Sequence, residues 1–450
     1  MKKATSLLLA MGMVVSLAGC GGKSESTSTE PTKAADPTQA PAATEAPAAT
    51  EAPAATEAAK DPVDLTMWCI ATESDSNRHA YVTAIDEFKA AHPEINLTWE
   101  ATQNESYKTK IKAAVAANEM PDIFFTWGAG FIQEFVEADR VYCVDDVYAK
   151  YKDELPEVMM GNLKFDGKYY GAPTTFNVVA MFCNMDLLKQ AGYDAVPGTY
   201  EELLKCCDDL KAKGITPFGC SGKENWAISE YSESMIQKSV GTDKMRAMYE
   251  GKESWNNPDV IKAIDSLQEM VKKEYFDPAA VALSNDEVKA NFIAGKYAFY
   301  INGTWNVADM VANGLDDKVQ VAEFPVINPA NAQLGELIGG ANDSLAVAAS
   351  SKNAAVAAET CFELARGICH YGNLDGVGIP AWKPFYDTSS LSKMSNTVAD
   401  IVANASKTVL FGDNFLSADK ANIYLDYVGQ AYATAIDGQA YAEGLDNDLK

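Results

Sequence analysis

From residue 63 onward the chain switches between two hydrophobic periods. Residues 63–70 form a short apolar run rich in strand formers. Residues 76–91 place Ala80, Ile85 and Phe88 at helical spacing and stop at His92-Pro93, where proline cannot continue a helix. Residues 95–100 read as a second strand, 106–118 as a second helix and 122–127 as a third strand. Strand, helix, strand, helix, strand with short links predicts a parallel sheet with crossover helices. The middle repeats the theme. A strand at 178–183 precedes an amphipathic helix at 200–213 through Leu203, Cys207 and Leu210, with Gly214 as its stop and a strand at 215–220. Val260, Ile264, Leu267 and Val271 mark a helix over 259–273. Residues 296–301 and 319–324 read as strands, 337–349 as an apolar stretch broken by Gly339-Gly340-Ala341-Asn342-Asp343, and 388–450 as mostly helical.

The N-terminal sixty residues follow other rules. Lys2 and Lys3 lead into an apolar run from Leu7 to Val15 that closes on Leu17-Ala18-Gly19-Cys20. A basic start, an apolar middle and small residues before a cut describe a secretory signal over residues 1–19. The run is also shorter than the roughly 20 apolar residues that a bilayer span needs. The ending resembles the lipobox of bacterial lipoproteins, which implies that Cys20 becomes a lipid-bearing N-terminus. Residues 20–60 then hold the lipidated cysteine and a linker of Gly, Ser, Thr, Ala, Pro and Glu, including three copies of Ala-Pro-Ala-Ala-Thr-Glu. With no large apolar side chain to bury, such a segment is expected to stay disordered, as a tether of roughly 35 Å coil span.

About 390 residues remain, more than one core usually holds, so two lobes are expected. The formal charge of −26 becomes −28 once the signal, with two lysines and no acids, is removed. That acidity argues against nucleic acid, which calls for a basic stripe, and against an anionic ligand. Beyond Cys20 eight cysteines remain. An even number outside the cell permits disulfides, but their apolar surroundings favour buried free thiols. The three histidines are not spaced for metal ligation. A Gly-x-Ser-x-Gly nucleophile and a phosphate loop are both missing, so no catalytic residue, cofactor or metal is expected.

An ordered series of segments carries a family resemblance. They are Met120-Pro121-Asp122-Ile123-Phe124; Asp166-Gly167-Lys168-Tyr169-Tyr170-Gly171-Ala172-Pro173; Met181-Phe182-Cys183-Asn184-Met185-Asp186-Leu187-Leu188; Thr199-Tyr200-Glu201-Glu202-Leu203-Leu204; Lys211-Ala212-Lys213-Gly214-Ile215-Thr216-Pro217; and Phe292-Ile293-Ala294-Gly295-Lys296 through Thr304-Trp305. In this order they resemble the extracellular solute-binding proteins of bacterial carbohydrate ABC importers, the class that includes maltose-binding proteins. Cys183 departs from the tyrosine of many relatives. The resemblance implies an α/β, two-lobed periplasmic-binding-protein-like (Venus flytrap) fold with hinge strands and a ligand cleft between the lobes. Lobe one would comprise 61–175 plus 325–378, and lobe two 176–324 plus 379–450. Crossings would fall near residues 174–178, near Phe324-Pro325 and near Gly378-Ile379-Pro380, and the lobes would close on ligand by a hinge motion.

A sugar presents apolar ring faces and rims of hydroxyls, so its site wants flat aromatics and short polar side chains. Trp127 ends the third strand, where open parallel sheets place ligands. Trp226 follows the polar loop 221–225, Trp305 stands where relatives carry a stacking tryptophan, and Trp382 follows the last crossing. Core packing is the competing role for each, and it is the expected one for Trp68, Trp99 and Trp255. Glu73 is a hydroxyl partner or merely an acid at a helix start. Gly340, Asn342 and Asp343 resemble the family's glycine-containing cleft loop, or make a simple turn. Phe176 and Asn177 flank the first crossing and are expected to line the floor.

These readings converge on a non-catalytic receptor that is expected to be a monomer. It would be held on the extracellular face by its lipid and deliver a mono- or oligosaccharide to separate ABC permease subunits. The rivals are an extracellular glycosidase, which needs two placed carboxylates, and a receptor for a peptide or polyamine, which tryptophan faces also suit.

Overall fold

The computed structural model describes residues 62–450; the expected signal peptide, Cys20 and the linker lie outside the described residues. β1 (Val63–Cys69), β2 (Ile95–Ala101) and β3 (Ile123–Trp127) run parallel, linked by α1 (Arg78–Ala91) and α2 (Asn104–Ala117). The apolar stripe of α1 buries Ala80, Tyr81, Ala84, Ile85 and Phe88 in the first lobe's core, where the helix packs mainly on the last helix of that lobe, and it stops at His92. α2 begins where the Gln103 side chain accepts the amides of Glu105 and Ser106, and it ends on Asn118 in the left-handed conformation. α3 (Gly130–Glu137), α4 (Asp145–Tyr151), the hairpin β4 (Lys164–Phe165) and β5 (Lys168–Tyr169), and β6 (Ala172–Pro173) complete the first pass.

The second lobe opens with β7 (Asn177–Asn184), α5 (Met185–Ala191), α6 (Tyr200–Ala212) and β8 (Thr216–Gly219). It continues through α7 (Asn225–Val240), α8 (Thr242–Tyr249), α9 (Pro258–Lys272) and α10 (Asn285–Ile293). β9 (Tyr297–Gly303), α11 (Val307–Ala312), β10 (Val319–Ala322) and β11 (Glu336–Gly340) follow. The chain then returns to the first lobe for β12 (Asp343–Val347) and α12 (Ala354–Asp375). It ends in the second with α13 (Lys393–Ala403), β13 (Lys407–Val409), α14 (Gly412–Phe415), α15 (Ala418–Tyr432) and α16 (Gly438–Asp448). The two sheets have the strand orders β2-β1-β3-β12-β6 and β13-β11-β7-β9-β8, with β10 also on β7. All eight residues of β7 are buried. Met181 joins one core cluster and Phe182 another, so the strand stabilises both faces by about 1.5–3 kcal/mol per large buried side chain.

Two expected lobe boundaries shift. The return near Phe324-Pro325 does not occur there, because β11 still pairs with β7 and β13 of the second sheet. Glu323 explains why: it accepts from buried Lys238 of α7 at 3.0 Å and from the Gly335 amide at 2.9 Å, while Ile327 and Asn328 donate to the Lys238 carbonyl. Residues 323–340 therefore belong to the second lobe, and the chain crosses at Ala341–Asn342. Gly339, at φ +139°, lets β11 pass β7, since a Cβ there would lie 2.1 Å from the Asn177 carbonyl oxygen. At the last crossing Phe176 and Ile379 exchange both backbone hydrogen bonds at 2.9 Å, so the first and third crossings pair directly. The chain then re-enters the first lobe, where Trp382 packs, and leaves it only before α13. Residues 380–386 thus lie in lobe one.

α7 was not foreseen as a helix. Every residue from Ala227 to Val240 is buried, including Glu230, Glu233, Gln237 and Lys238, so it runs through the middle of its lobe rather than along a surface. The eight cysteines of the described residues are unpaired, seven of them buried and Cys143 half-buried. Burial pushes the Cys69 thiol up to about 12. Among the described residues, no helix is long and apolar enough to cross a membrane.

Candidate functional site

A cavity of about 130 Å³ lies between the two lobes. The first lobe supplies the β1–α1 loop with Thr72, Ser74, Asp75, Ser76 and Asn77, the α2 entry with Gln103, Asn104 and Lys108, and Trp127 at the end of β3. These are the loops beyond the carboxyl ends of parallel strands, the usual ligand face of an open α/β sheet. The second lobe supplies Glu224, Trp226, Ser229 and Glu230 at the head of α7, Asn285, Asp286 and Lys289 of α10, Trp305 and Asn306 after β9, and Phe411, Asp413 and Asn414. Asn342 and Asp343 of the middle crossing close the floor.

The aromatics fall into two groups. Trp226 and Trp305 lie 6.3 Å apart, and Phe411 lies 6.0 Å from Trp305. Both tryptophans are half-buried, so part of each ring stays available. The turn Asn302-Gly303-Thr304 sets Trp305: a Cβ on Gly303 would lie 2.1 Å from its ring. Trp127 instead sits edge-on to Phe125 and Phe131 at 4.8 Å each, with the Lys108 ammonium 5.3 Å from its ring centre.

Several polar atoms at this cavity are buried without a partner: Asn104 Oδ1, Trp226 Nε1, both Glu230 carboxyl oxygens and Asn306 Oδ1. Burying such groups unpaired costs roughly 1–3 kcal/mol each, so the cavity carries unused hydrogen-bonding capacity, most of it on the second lobe. The cleft is also acidic. Burial raises Asp75 to about 6, opposed by the Asn77 amide and Lys289, and raises Asp343 to about 7, helped by the charge of Asp75. Burial likewise raises Glu224, Glu230 and Asp413. A protonated carboxyl both donates and accepts, which suits hydroxyl groups.

The lobes touch across the mouth. Ser74 Oγ donates to Asp286 at 2.9 Å, Ser76 Oγ to Asp309 at 2.7 Å, and the Lys289 ammonium to the Ser74 carbonyl at 3.3 Å. The Ala418 amide of α15 donates to Glu134 of α3 at 3.0 Å. This is a shut form of the hinge.

Of the residues singled out in the sequence, Trp127, Trp226, Trp305, Asn342 and Asp343 come together on the cavity. Asn342 ties two elements, its side-chain oxygen and its carbonyl both accepting from the Gly128 amide. Glu73 does not join them: its side chain is 87% exposed and pairs with Arg78 at 2.7 Å. Asp75, two residues on, is held by the Asn77 amide at 2.8 Å and faces the cavity instead. Trp382 is 3% exposed in the first lobe's core, where Nε1 donates to the Pro173 carbonyl at 2.7 Å and the ring meets Tyr151 and Phe362. Asn177 is buried beneath the site, accepting from Thr304 Oγ1 at 3.0 Å. Phe176 and Gly340 line a separate cavity with Asn162 and Arg246. The residues missed are chiefly Asp75, Glu230, Asn285 and Asp413. One signal was available for Asn285: Ser284 and Glu287 form a capping box that fixes the start of α10.

Among the described residues no cluster of His, Cys, Asp and Glu is arranged to hold a metal ion. The fold is shared with known proteins. A protein solved in work on xylan utilization by the thermophilic bacterium Caldanaerobius polysaccharolyticus is 32% identical, with a TM-score of 0.83 over 86% of this chain and 100% of its own. A chitin oligosaccharide binding protein superposes with a TM-score of 0.79 over 87% of this chain and 98% of its own at 21% identity. The multiple sugar-binding protein of Streptococcus mutans is 23% identical over 65% of this chain and 70% of its own length. The family model for bacterial extracellular solute-binding proteins matches residues 73–360, and this chain belongs to that family.

Proposed function

We propose that the chain is the extracellular receptor of a carbohydrate ABC importer, capturing a neutral mono- or oligosaccharide between its lobes. The observation that carries this reading is the second lobe's wall. Two half-buried tryptophans stand beside buried polar atoms that have no partner within the protein. Ring faces stack on the first and hydroxyls satisfy the second. The names of relatives support the same reading: one is a multiple sugar-binding protein, another a chitin oligosaccharide binding protein. Closure buries the sugar, and the shut form is what a separate permease engages in the membrane. Cys20, carrying lipid, keeps the receptor at the outer face of the cytoplasmic membrane while the linker gives it reach. It acts as a monomer and without catalysis.

A cationic solute such as a polyamine is the second reading, favoured by six carboxyl groups against two lysines around the cavity. The neutral sugar is preferred because burial raises five of those acids, so the cleft disfavours their charged forms. Tryptophan fluorescence titrations with neutral sugars, spermidine and a mixed peptide pool separate the two. Saturable quenching or enhancement by one sugar is expected. A response to spermidine or peptide alone contradicts the sugar reading.

A further inference from the structure

Glu230 is the best-hidden acid that borders the cavity. It is 2% exposed on α7, one helical turn after Trp226 and beside Ser229, and neither carboxyl oxygen has a partner. Other buried charged groups of this lobe have work within the fold. Glu233 accepts from the Gly412 amide and Tyr424 Oη, both at 3.0 Å. Lys238 is held by Glu323 and by the Glu336 carbonyl. Glu336 accepts from the Thr242 amide at 2.9 Å. Glu230 makes no such bond, so it costs folding free energy without structural return.

We propose that Glu230 is a specificity-determining contact, its otherwise unpartnered carboxyl group taking a pair of adjacent hydroxyls of the bound sugar. This rests on the carbohydrate reading above and names the group that selects within it. The charged groups acting on Glu230 are acids only: Glu233 on its own helix and Asp413 of α14. Tyr231 of α7 and Tyr300 of β9 are the phenols coupled to it. Burial and those two acids push the carboxyl up and favour its neutral form, which offers one donor and one acceptor. Two adjacent hydroxyls, each able to donate and accept, complement that pair. A uronate carboxylate brought against Glu230 meets the like charges of Glu233 and Asp413, so this contact disfavours acidic sugars.

The test is calorimetry on the protein with xylotriose, raffinose and chitobiose, together with thermal unfolding of the unliganded form. Glu230→Met keeps the volume and removes both oxygens, while Glu230→Gln keeps a donor and an acceptor. For a sugar bound by the wild type, Glu230→Met should bind at least about tenfold more weakly, the loss of one or more hydrogen bonds. Glu230→Gln should stay within about threefold, by the same arithmetic. Both unliganded variants should melt at or above the wild-type temperature, since an unpaired buried acid has been removed. Binding by Glu230→Met within twofold of wild type overturns the assignment and leaves the receptor reading standing. Lower melting temperatures in both variants, with equal losses of affinity, overturn it too, because that is the signature of a structural acid. Silence of the wild type to all three sugars overturns the receptor reading and this inference together.

Discussion

Trp127 of the first lobe and Trp305 of the second face one cavity from opposite sides, but their settings differ. Trp127 is 8% exposed and wedged edge-on between Phe125 and Phe131, with Tyr107 also near. Trp305 is half-buried and meets Trp226 and Phe411 at about 6 Å. One wall is the outer layer of a core; the other is a platform kept partly open. The same contrast holds for the polar groups. The first lobe's Asp75 accepts from the Asn77 amide and Asn342 accepts from Gly128, which leaves Asn104 Oδ1 without a partner, whereas the second lobe's Trp226, Glu230 and Asn306 together hold four such atoms. Folding and capture are therefore divided between the walls, with the second lobe carrying more of the unspent capacity to bind.

Substituting the two tryptophans is the sharpest way to break this contrast. Trp127→Ala removes a packed aromatic and should cost about 3–5 kcal/mol of stability in denaturant unfolding. Trp305→Ala should leave stability within roughly 1.5 kcal/mol and weaken sugar binding by about 2 kcal/mol, or roughly thirtyfold, in fluorescence titration. Reversed effects would mean that the first wall, not the second, is the platform. Gly303→Ala should act in the same direction as Trp305→Ala, because its methyl group has no space beside the indole. Its overpacking cost of about 1–3 kcal/mol should appear in both assays.

pH sharpens the comparison through the buried acids. Glu233 is raised to about 8 and Asp343 to about 7, both by burial, while the unfolded chain titrates near ordinary carboxyl values. Between those limits the folded state holds more protons than the unfolded one, so stability falls as pH rises from about 5 to 8. Melting curves across that range should show the decline, and Glu233→Gln should flatten it. The smallest effect is expected at the mouth. Ser76→Ala removes the hydrogen bond to Asp309 and should loosen closure by about 1 kcal/mol, read as a small increase in the dissociation constant without a change in melting temperature.

The first wall was readable in the sequence because its elements obey simple periods. β1, α1, β2, α2 and β3 each show one apolar face, and the strand ends then mark where ligands sit. Even there the loop was resolved only to within two residues: Glu73 was the expected acid, and Asp75 faces inward because its own side chain caps the turn. α7 was illegible for a physical reason. A helix buried on every side needs no apolar stripe, and its serines, glutamates, glutamine and lysine imitate a polar loop. The crossing near Phe324-Pro325 failed similarly, since the ion pair between Lys238 and Glu323 that retains this segment joins residues 85 apart in sequence. Trp382 follows the pairing of Phe176 with Ile379, but its indole N–H has a carbonyl partner inside the first lobe, which sequence spacing does not reveal.

The most direct test of the account is the melting temperature of the protein with and without each of a set of neutral sugars, with recovery of the sugar afterwards. A sugar at 100 times its dissociation constant should add about 2.7 kcal/mol of stability and be recovered intact. A set that leaves the melting temperature unmoved, or a sugar recovered as hydrolysed product, would contradict it.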